Sequence, residues 1–377
     1  MKNLGLYVHI PFCVQKCRYC DFLSAPCDDA GKEAYVDALI KEIKESAADF
    51  RDYLADTIFI GGGTPSILSP EQIVAIMDAI RDNYNLAPYT ECTIECNPGT
   101  MTEKKAEAFL LAGVNRISIG LQSANDNELR TLGRVHTTEE FLDSFLLARS
   151  CGFQNINVDL MNALPYQTLD SFCATLHSVA GLAPEHISVY SLIVEENTPL
   201  YDWVYAGNED ALPTEEVERE MYYSAKKILG GYGYERYEIS NYARKGYECR
   251  HNLGYWERKE YAGFGLGAAS LVGNVRYNNQ SDMKSYLKCC GREKTNKEIL
   301  SKKDEMAEFM FLGLRKTAGI SKEKFYNTFG VEYNKVYGTI TQKLESKGLI
   351  IQENDTVRLT DLGIDVSNVV MAEFLPD

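Results

Sequence analysis

Short β-rich runs alternate with longer helical stretches through the first two-thirds of the chain, and this alternation constrains the fold more than any other feature. The runs are LGLYVHI (4–10), ADTIFIG (55–61), ECTIEC (91–96), RISIGL (116–121), INVDLM (156–161) and HISVYSLIV (186–194). Most are nearly continuous apolar segments, the pattern of parallel strands covered on both faces. Helical patterns accompany them at roughly 31–50, 70–84, 102–112, 138–151, 168–180 and 214–229. Ser69 before Pro70 and Glu71 marks a helix start, with proline at the position where its missing N–H is not needed. Six successive β–α units predict the α/β class, with a parallel sheet curled into a TIM-like barrel. Six is two short of a closed eight-fold barrel, so an incomplete (β/α)6 barrel is expected.

At about 150 residues per domain, a chain of 377 residues has room for such a barrel and an appendage. Residues 232–280 are rich in Tyr, Gly and Asn and read as irregular, and KCCGREKTNKEI (288–299) reads as a linker. Beyond it come helical patterns and then KGLIIQENDTVRLTDLG, a hairpin turning at Asn354-Asp355. Helices followed by a hairpin resemble a winged-helix α+β domain. The expected division is 1–287 for the barrel with its Tyr/Gly-rich segment and 300–377 for the winged-helix-like domain. Many winged helices bind DNA, so charge decides. Residues 296–377 carry 11 basic and 13 acidic groups, a poor footprint for DNA, and a protein-packing role is favoured. The whole chain has a net charge of −15, which argues against broad nucleic-acid binding. No stretch approaches the roughly 18 apolar residues of a membrane span. MKNLGLYVHIPFC has no small-residue cleavage site and does not read as a signal peptide. A cytoplasmic location is expected.

The strongest chemical signal is CVQKCRYC, in which Cys13, Cys17 and Cys20 follow the first strand. Eleven cysteines is an odd number, and they are not spaced like a disulfide framework. Three thiolates in one short loop can hold three irons of a [4Fe–4S] cluster and leave the fourth iron open. A structural zinc site with His9 or Cys27 as fourth ligand is the alternative on spacing alone. Strand ends carry the other polar motifs: GGGTPS (61–66) after the second run, Glu95 in ECNP, Gln122 after the fourth run and Asp159 in the fifth. In barrels of this kind functional groups sit at the C-terminal ends of the strands.

C-x3-C-x2-C with Tyr19 before the last Cys, following YVHIPF, resembles the radical S-adenosylmethionine superfamily over essentially the whole chain. The resemblance implies a [4Fe–4S] cluster on Cys13, Cys17 and Cys20. Its open iron would bind the amino and carboxylate groups of S-adenosylmethionine, whose reductive cleavage yields a 5′-deoxyadenosyl radical. It also implies a cofactor pocket lined by Tyr7, Tyr19, Gly62, Gly63, Thr64, Glu95, Gln122, Arg134 and Asp159.

Within the superfamily the chain most resembles the branch that holds oxygen-independent coproporphyrinogen III oxidases and the HemW haem chaperones. The oxidase pattern has a further Cys two residues after the third ligand, where this chain has Phe22. The oxidases also have a longer N-terminal segment, whereas twelve residues precede Cys13 here. HNLGYW (251–256) is similar to the HNxxYW signature of the chaperones. That similarity implies haem contacts from His251, Asn252, Tyr255 and Trp256, the imidazole as axial ligand and the rings against the macrocycle. A locally hydrogen-bonded His with the aromatics in the core is the structural alternative. GFGLGAAS (263–270) has Leu266 and Ala269 where the family usually has Pro and His. NVDLMNALPYQT (157–168) has Asn162, Ala163 and Tyr166 where DLIYGLPGQT is usual. The expected function is haem binding and delivery to an acceptor apoprotein. The alternatives are oxidative decarboxylation of coproporphyrinogen III and a cluster-bearing structural protein without radical chemistry.

Overall fold

The computed structural model describes residues 1–376. Six strands run parallel in sequence order: β1 (Lys2–Ile10), β2 (Tyr53–Gly62), β3 (Leu86–Cys96), β4 (Arg116–Gln122), β5 (Ile156–Asn162) and β6 (His186–Ser191). Their alternation divides each strand between two environments. In β1, Leu4, Leu6, Val8 and Ile10 are fully buried under the helices, each contributing about 1.5–3 kcal/mol of apolar burial. Tyr7 lies on the opposite face and lines the barrel interior with Phe59, Glu95, Ser118 and Asp159. The register sets these groups side by side: Tyr7 pairs with Phe59, Glu95 with Ser118, and Gly120 with Asp159.

The covering helices are α1 (Asp29–Ser46), α2 (Pro70–Asn83), α3 (Glu103–Leu111), α4 (Asp126–Thr131), α5 (Thr138–Cys151), α6 (Leu169–Gly181), α7 (Pro199–Val204) and α8 (Glu215–Gly231). Helix α2 begins as expected: the Ser69 hydroxyl and Gln72 form a capping box, with Pro70 in the first turn. Thr137 and Glu140 do the same for α5.

The barrel is open. The sheet continues past β6 into β7 (Glu235–Arg236) and β8 (Asn241–Ala243), with β8 antiparallel to β6. On the other side, β9 (Tyr261–Phe264) lies parallel to β1, followed outward by β10 (Ala269–Val272), β11 (Val275–Asn279) and β12 (Lys294–Ile299). Two expectations are thereby corrected. The segment 232–280 is regular, containing these short strands and helix α9 (Arg250–Trp256). The supposed linker 288–299 ends in β12, an edge strand antiparallel to β11. Edge strands tolerate charged residues because one side faces solvent, which is why KTNKEI does not read as a strand.

The C-terminal part has its own core around Phe309, Phe325, Tyr333, Tyr337 and Phe374. Helices Lys302–Gly313, Lys322–Phe329 and Tyr333–Ser346 precede the strands Ile350–Glu353 and Thr356–Leu359. This is the expected hairpin, with Asn354 left-handed at φ 52°. Arg315 lies 4.2 Å over the Trp256 ring, and Arg258 donates to Glu308 at 2.8 Å, fastening this part to the barrel. Among the described residues no helix is long and apolar enough to cross a membrane.

Candidate functional site

Loops that follow parallel strands all emerge at one end of a barrel, and the cysteine loop is anchored there by backbone bonds. Ala25 N–H donates to Pro11 O at 3.0 Å and Cys13 N–H to Ala25 O at 3.2 Å. Arg18 N–H donates to Leu132 O at 3.0 Å, and Leu200 N–H to Arg18 O at 2.9 Å. Tyr19 packs on Leu132, Met161, Leu164 and Leu192 beneath the loop, and burial pushes its hydroxyl well above the usual range. Cys13, Cys17 and Cys20 are partly accessible. Desolvation pushes the Cys20 thiol upward.

A hydrogen-bonded relay links two of these cysteines through Thr64 and Asn97, at the ends of β2 and β3, and Arg134, in the loop after α4. Thr64 Oγ1 donates to Cys13 Sγ at 3.5 Å and accepts from Asn97 Nδ2 at 2.8 Å. Arg134 Nη2 donates to Asn97 Oδ1 at 2.8 Å and to Gly120 O at 2.6 Å, and Nη1 donates to Cys17 Sγ at 3.5 Å. Asn97 escaped the sequence reading; its only signal is its place two residues beyond Glu95 in ECNP. Gly63 N–H donates to Ile10 O at 2.8 Å and Thr64 N–H to Phe12 O at 2.7 Å. A side chain at Gly63 would collide with the Phe12 backbone, so this glycine permits the close approach of the two strand ends.

These residues fit a cluster with an amino-acid-bearing cofactor. Arg134 Nε is buried without a partner, a free donor beside the thiols. Above Gly120 an added Cβ would meet Asn97 Oδ1, Gln122 Nε2 and Arg134 Nη2 within 3.1–3.2 Å, so a methyl group would fill space enclosed by polar atoms. Gln122 follows a bulge in the β4–β5 pairing and is left-handed at φ 72°. Such non-glycine strain is concentrated at functional sites. Zinc fits less well. His9 donates through Nε2 to Leu23 O at 2.9 Å, so its Nδ1 accepts from Tyr7 OH at 3.0 Å, and no lone pair is left for a metal. Among the described residues no three Cys, His, Asp or Glu side chains converge on a single ion. A four-iron cube spreads its ligands more widely.

Below the mouth, Glu95 and Asp159 line an interior cavity of about 200 Å³. Asp159 accepts from Ser118 Oγ and Asn157 Nδ2, each at 2.8 Å. Glu95 accepts from Gly62 N–H at 3.0 Å, and burial together with the Asp159 charge pushes its carboxyl up to about 8. Arg116, also absent from the sequence reading, lines the same cavity. Its signal is a lone charge at the head of the apolar run RISIGL.

The HNLGYW segment forms α9 and closes the opposite end of the barrel. Glu91 holds its start, accepting from Arg250 N–H and His251 N–H, both at 3.0 Å; a carboxylate there offsets the helix dipole. His251, Asn252 and Tyr255 line the cavity, whereas Trp256 packs toward the C-terminal part beneath Arg315. His251 is buried and stacked on Phe59 at 5.2 Å. Its Nδ1 bonds Thr57 Oγ1 at 2.9 Å and its Nε2 bonds Tyr255 OH at 3.0 Å. Burial and the nearby Lys259 and Arg116 charges push it down to about 3, so it is neutral. In this conformation both imidazole nitrogens are engaged, so His251 has no free lone pair for an iron. The structure shows His251 in the locally bonded arrangement that the sequence offered as the structural alternative.

The model of the Radical SAM superfamily matches residues 7–179, and that of the HemN C-terminal domain matches residues 300–366. The chain is 37% identical to the heme chaperone HemW of Lactococcus lactis subsp. lactis (strain IL1403), over 100% of this chain and 98% of that protein. It is 39% identical to the heme chaperone HemW of Bacillus subtilis (strain 168), over 98% of each. Its fold is similar to that of coproporphyrinogen III oxidase (HemN) from Escherichia coli, with a TM-score of 0.87 and 23% identity over 99% of this chain and 90% of that one. That likeness bears on the fold alone. The cysteine loop, the open parallel barrel and these full-length relatives lead to one conclusion: the chain belongs to the HemW family of the radical S-adenosylmethionine superfamily.

Proposed function

We propose that the chain is a haem chaperone: it binds haem and passes it to an acceptor apoprotein. In this reading Cys13, Cys17 and Cys20 hold a [4Fe–4S] cluster, and S-adenosylmethionine lies against Tyr7, Tyr19, Gly62, Gly63, Thr64, Glu95, Gln122, Arg134 and Asp159. When bound there, the cluster and cofactor supply one-electron radical chemistry. The protein groups orient the cofactor through the relay from Cys13 to Cys17 and hold Glu95 protonated below about pH 8.

The observation that carries the reading is the apolar rim of the mouth. Phe22 is 68% exposed, Val14 64%, Val135 62% and Ile193 66%; Val14 lies within the cysteine loop, Phe22 just after it, Ile193 in the loop after β6, and Val135 beside Arg134 in the loop between α4 and α5. Large apolar side chains left in water beside a polar centre mark a binding surface, and a flat, largely apolar macrocycle is matched to such a rim. Phe22 stands where the oxidases have a further Cys. His251, Asn252 and Tyr255 then act from below the mouth, and ligation by His251 would require α9 to leave the barrel floor. The test is anaerobic reconstitution with iron, sulfide, S-adenosylmethionine and haem. Stoichiometric haem binding with no consumption of coproporphyrinogen III supports the chaperone reading. Multiple turnovers to protoporphyrinogen IX would replace it with the oxidase.

A further inference from the structure

Deep in the barrel a guanidinium lacks a partner. Arg116 opens β4 and is only 2% exposed. Its Nε is buried with no hydrogen bond, and the head group faces the interior cavity without an ion pair among the described residues. The nearby acids are committed elsewhere. Glu91 accepts Arg250 N–H, His251 N–H and the Cys249 thiol. Asp159 accepts Ser118 and Asn157, and Glu95 accepts Gly62 N–H. The Glu91 and Asp159 charges moderate the cost of burying a cation, yet they leave its buried Nε unmet, and an unmet buried donor is expensive.

We propose that Arg116 binds the carboxylate of a short organic acid, or of a short acid arm, inside the barrel below the cysteine loop. The planar fork of guanidinium donors matches a carboxylate in two parallel bonds. The cavity of about 200 Å³ exceeds the roughly 150 Å³ that takes a single six-membered ring, so it has room for a short acid or an acid arm. Asn252 and Ser188 line it and offer further polar contacts. The Asp159 carboxylate borders the same space beside a protonated Glu95, so a dianion such as phosphate meets like charge and a singly charged acid is favoured. The inference does not depend on the haem reading, because Arg116 is unpartnered whatever occupies the mouth.

The test uses the full-length, cluster-loaded chain. Calorimetric titration with propionate should give saturable binding. Propionamide, of the same size without the charge, should bind about tenfold to a hundredfold more weakly, the value of one charge-assisted contact. Arg116→Met should abolish the propionate signal, and Arg116→Lys should keep part of it. Equal binding of acid and amide, or of neither, by the unmodified chain would overturn the proposal without recourse to a variant. Haem and its dimethyl ester then identify the source of the acid. If Arg116→Met weakens haem but not the ester, the carboxylate is a haem propionate. If it loses propionate binding but leaves haem unchanged, the ligand is a separate small acid.

Discussion

Replacing Glu95 by Gln should stabilise the cofactor-free chain in a pH-dependent way. The Glu95 carboxyl is pushed from 4.5 to about 8, first by desolvation and then by the Asp159 charge. Folding therefore disfavours its ionised form. Below pH 4.5 both folded and unfolded chains carry the proton and no cost arises. The cost grows as pH rises and is complete above about 8. At about 1.36 kcal/mol per tenfold change in proton affinity, its ceiling is about 5 kcal/mol. The polar lining of the adjoining cavity reduces it to about 2–3 kcal/mol, since effective dielectric constants in such sites exceed those of a dry interior. Glutamine keeps an oxygen for Gly62 N–H, so the local bond at 3.0 Å survives. For a barrel unit of about 290 residues, unfolding entropy near 2.1 cal/mol/K per residue turns this into about 3–5 °C. Melting curves at about pH 9 should show a gain of that size, and at about pH 6 only about a third to a half of it. The same variant should bind S-adenosylmethionine more weakly, a trade of function for stability. A melting-temperature difference that is independent of pH, or a loss at both values, would refute the assignment of Glu95 as a strained, proton-holding group.

Ala at Cys13, Cys17 or Cys20 should each remove most of the iron and sulfide, about four of each per chain when intact, measured by metal and sulfide assay under nitrogen. Asn97→Ala breaks the relay at its centre and should cost about 1.5–3 kcal/mol of cofactor affinity, read as a tenfold or greater rise in the S-adenosylmethionine dissociation constant with iron content unchanged. His251→Ala should lower the melting temperature, because Thr57 and Tyr255 lose their partner at 2.9 and 3.0 Å, yet leave the Soret band of bound haem in place. A displaced band would instead mean that α9 leaves the floor and His251 ligates the iron. Ala163→Gly should stabilise by about 0.5–1 kcal/mol, since Ala163 is held at φ 58° where the family usually has glycine; an unchanged denaturant midpoint would remove that strain from the account.

What the chain order alone determined is local. Six β–α units, the Ser69 cap on α2, the turn at Asn354 and the three-cysteine loop each depend on residues within a few positions of one another, where propensity and spacing act directly. Non-local features required the folded sheet. Asn97 and Arg134 stand far apart in sequence and meet only because β3 and β4 are neighbours in register. The runs that read as uniformly apolar proved to be two-faced, with leucines and isoleucines under the helices and Tyr7, Glu95, Arg116 and Asp159 in the interior. The segment 251–256 was recognisable as a motif, but its residues gave no indication that the helix would plug the barrel. That position follows from β9 returning beside β1 and from Glu91 meeting the helix start. A hydrophobic pattern reports which residues avoid water. Only closure of the sheet decides which polar groups then face one another across the interior.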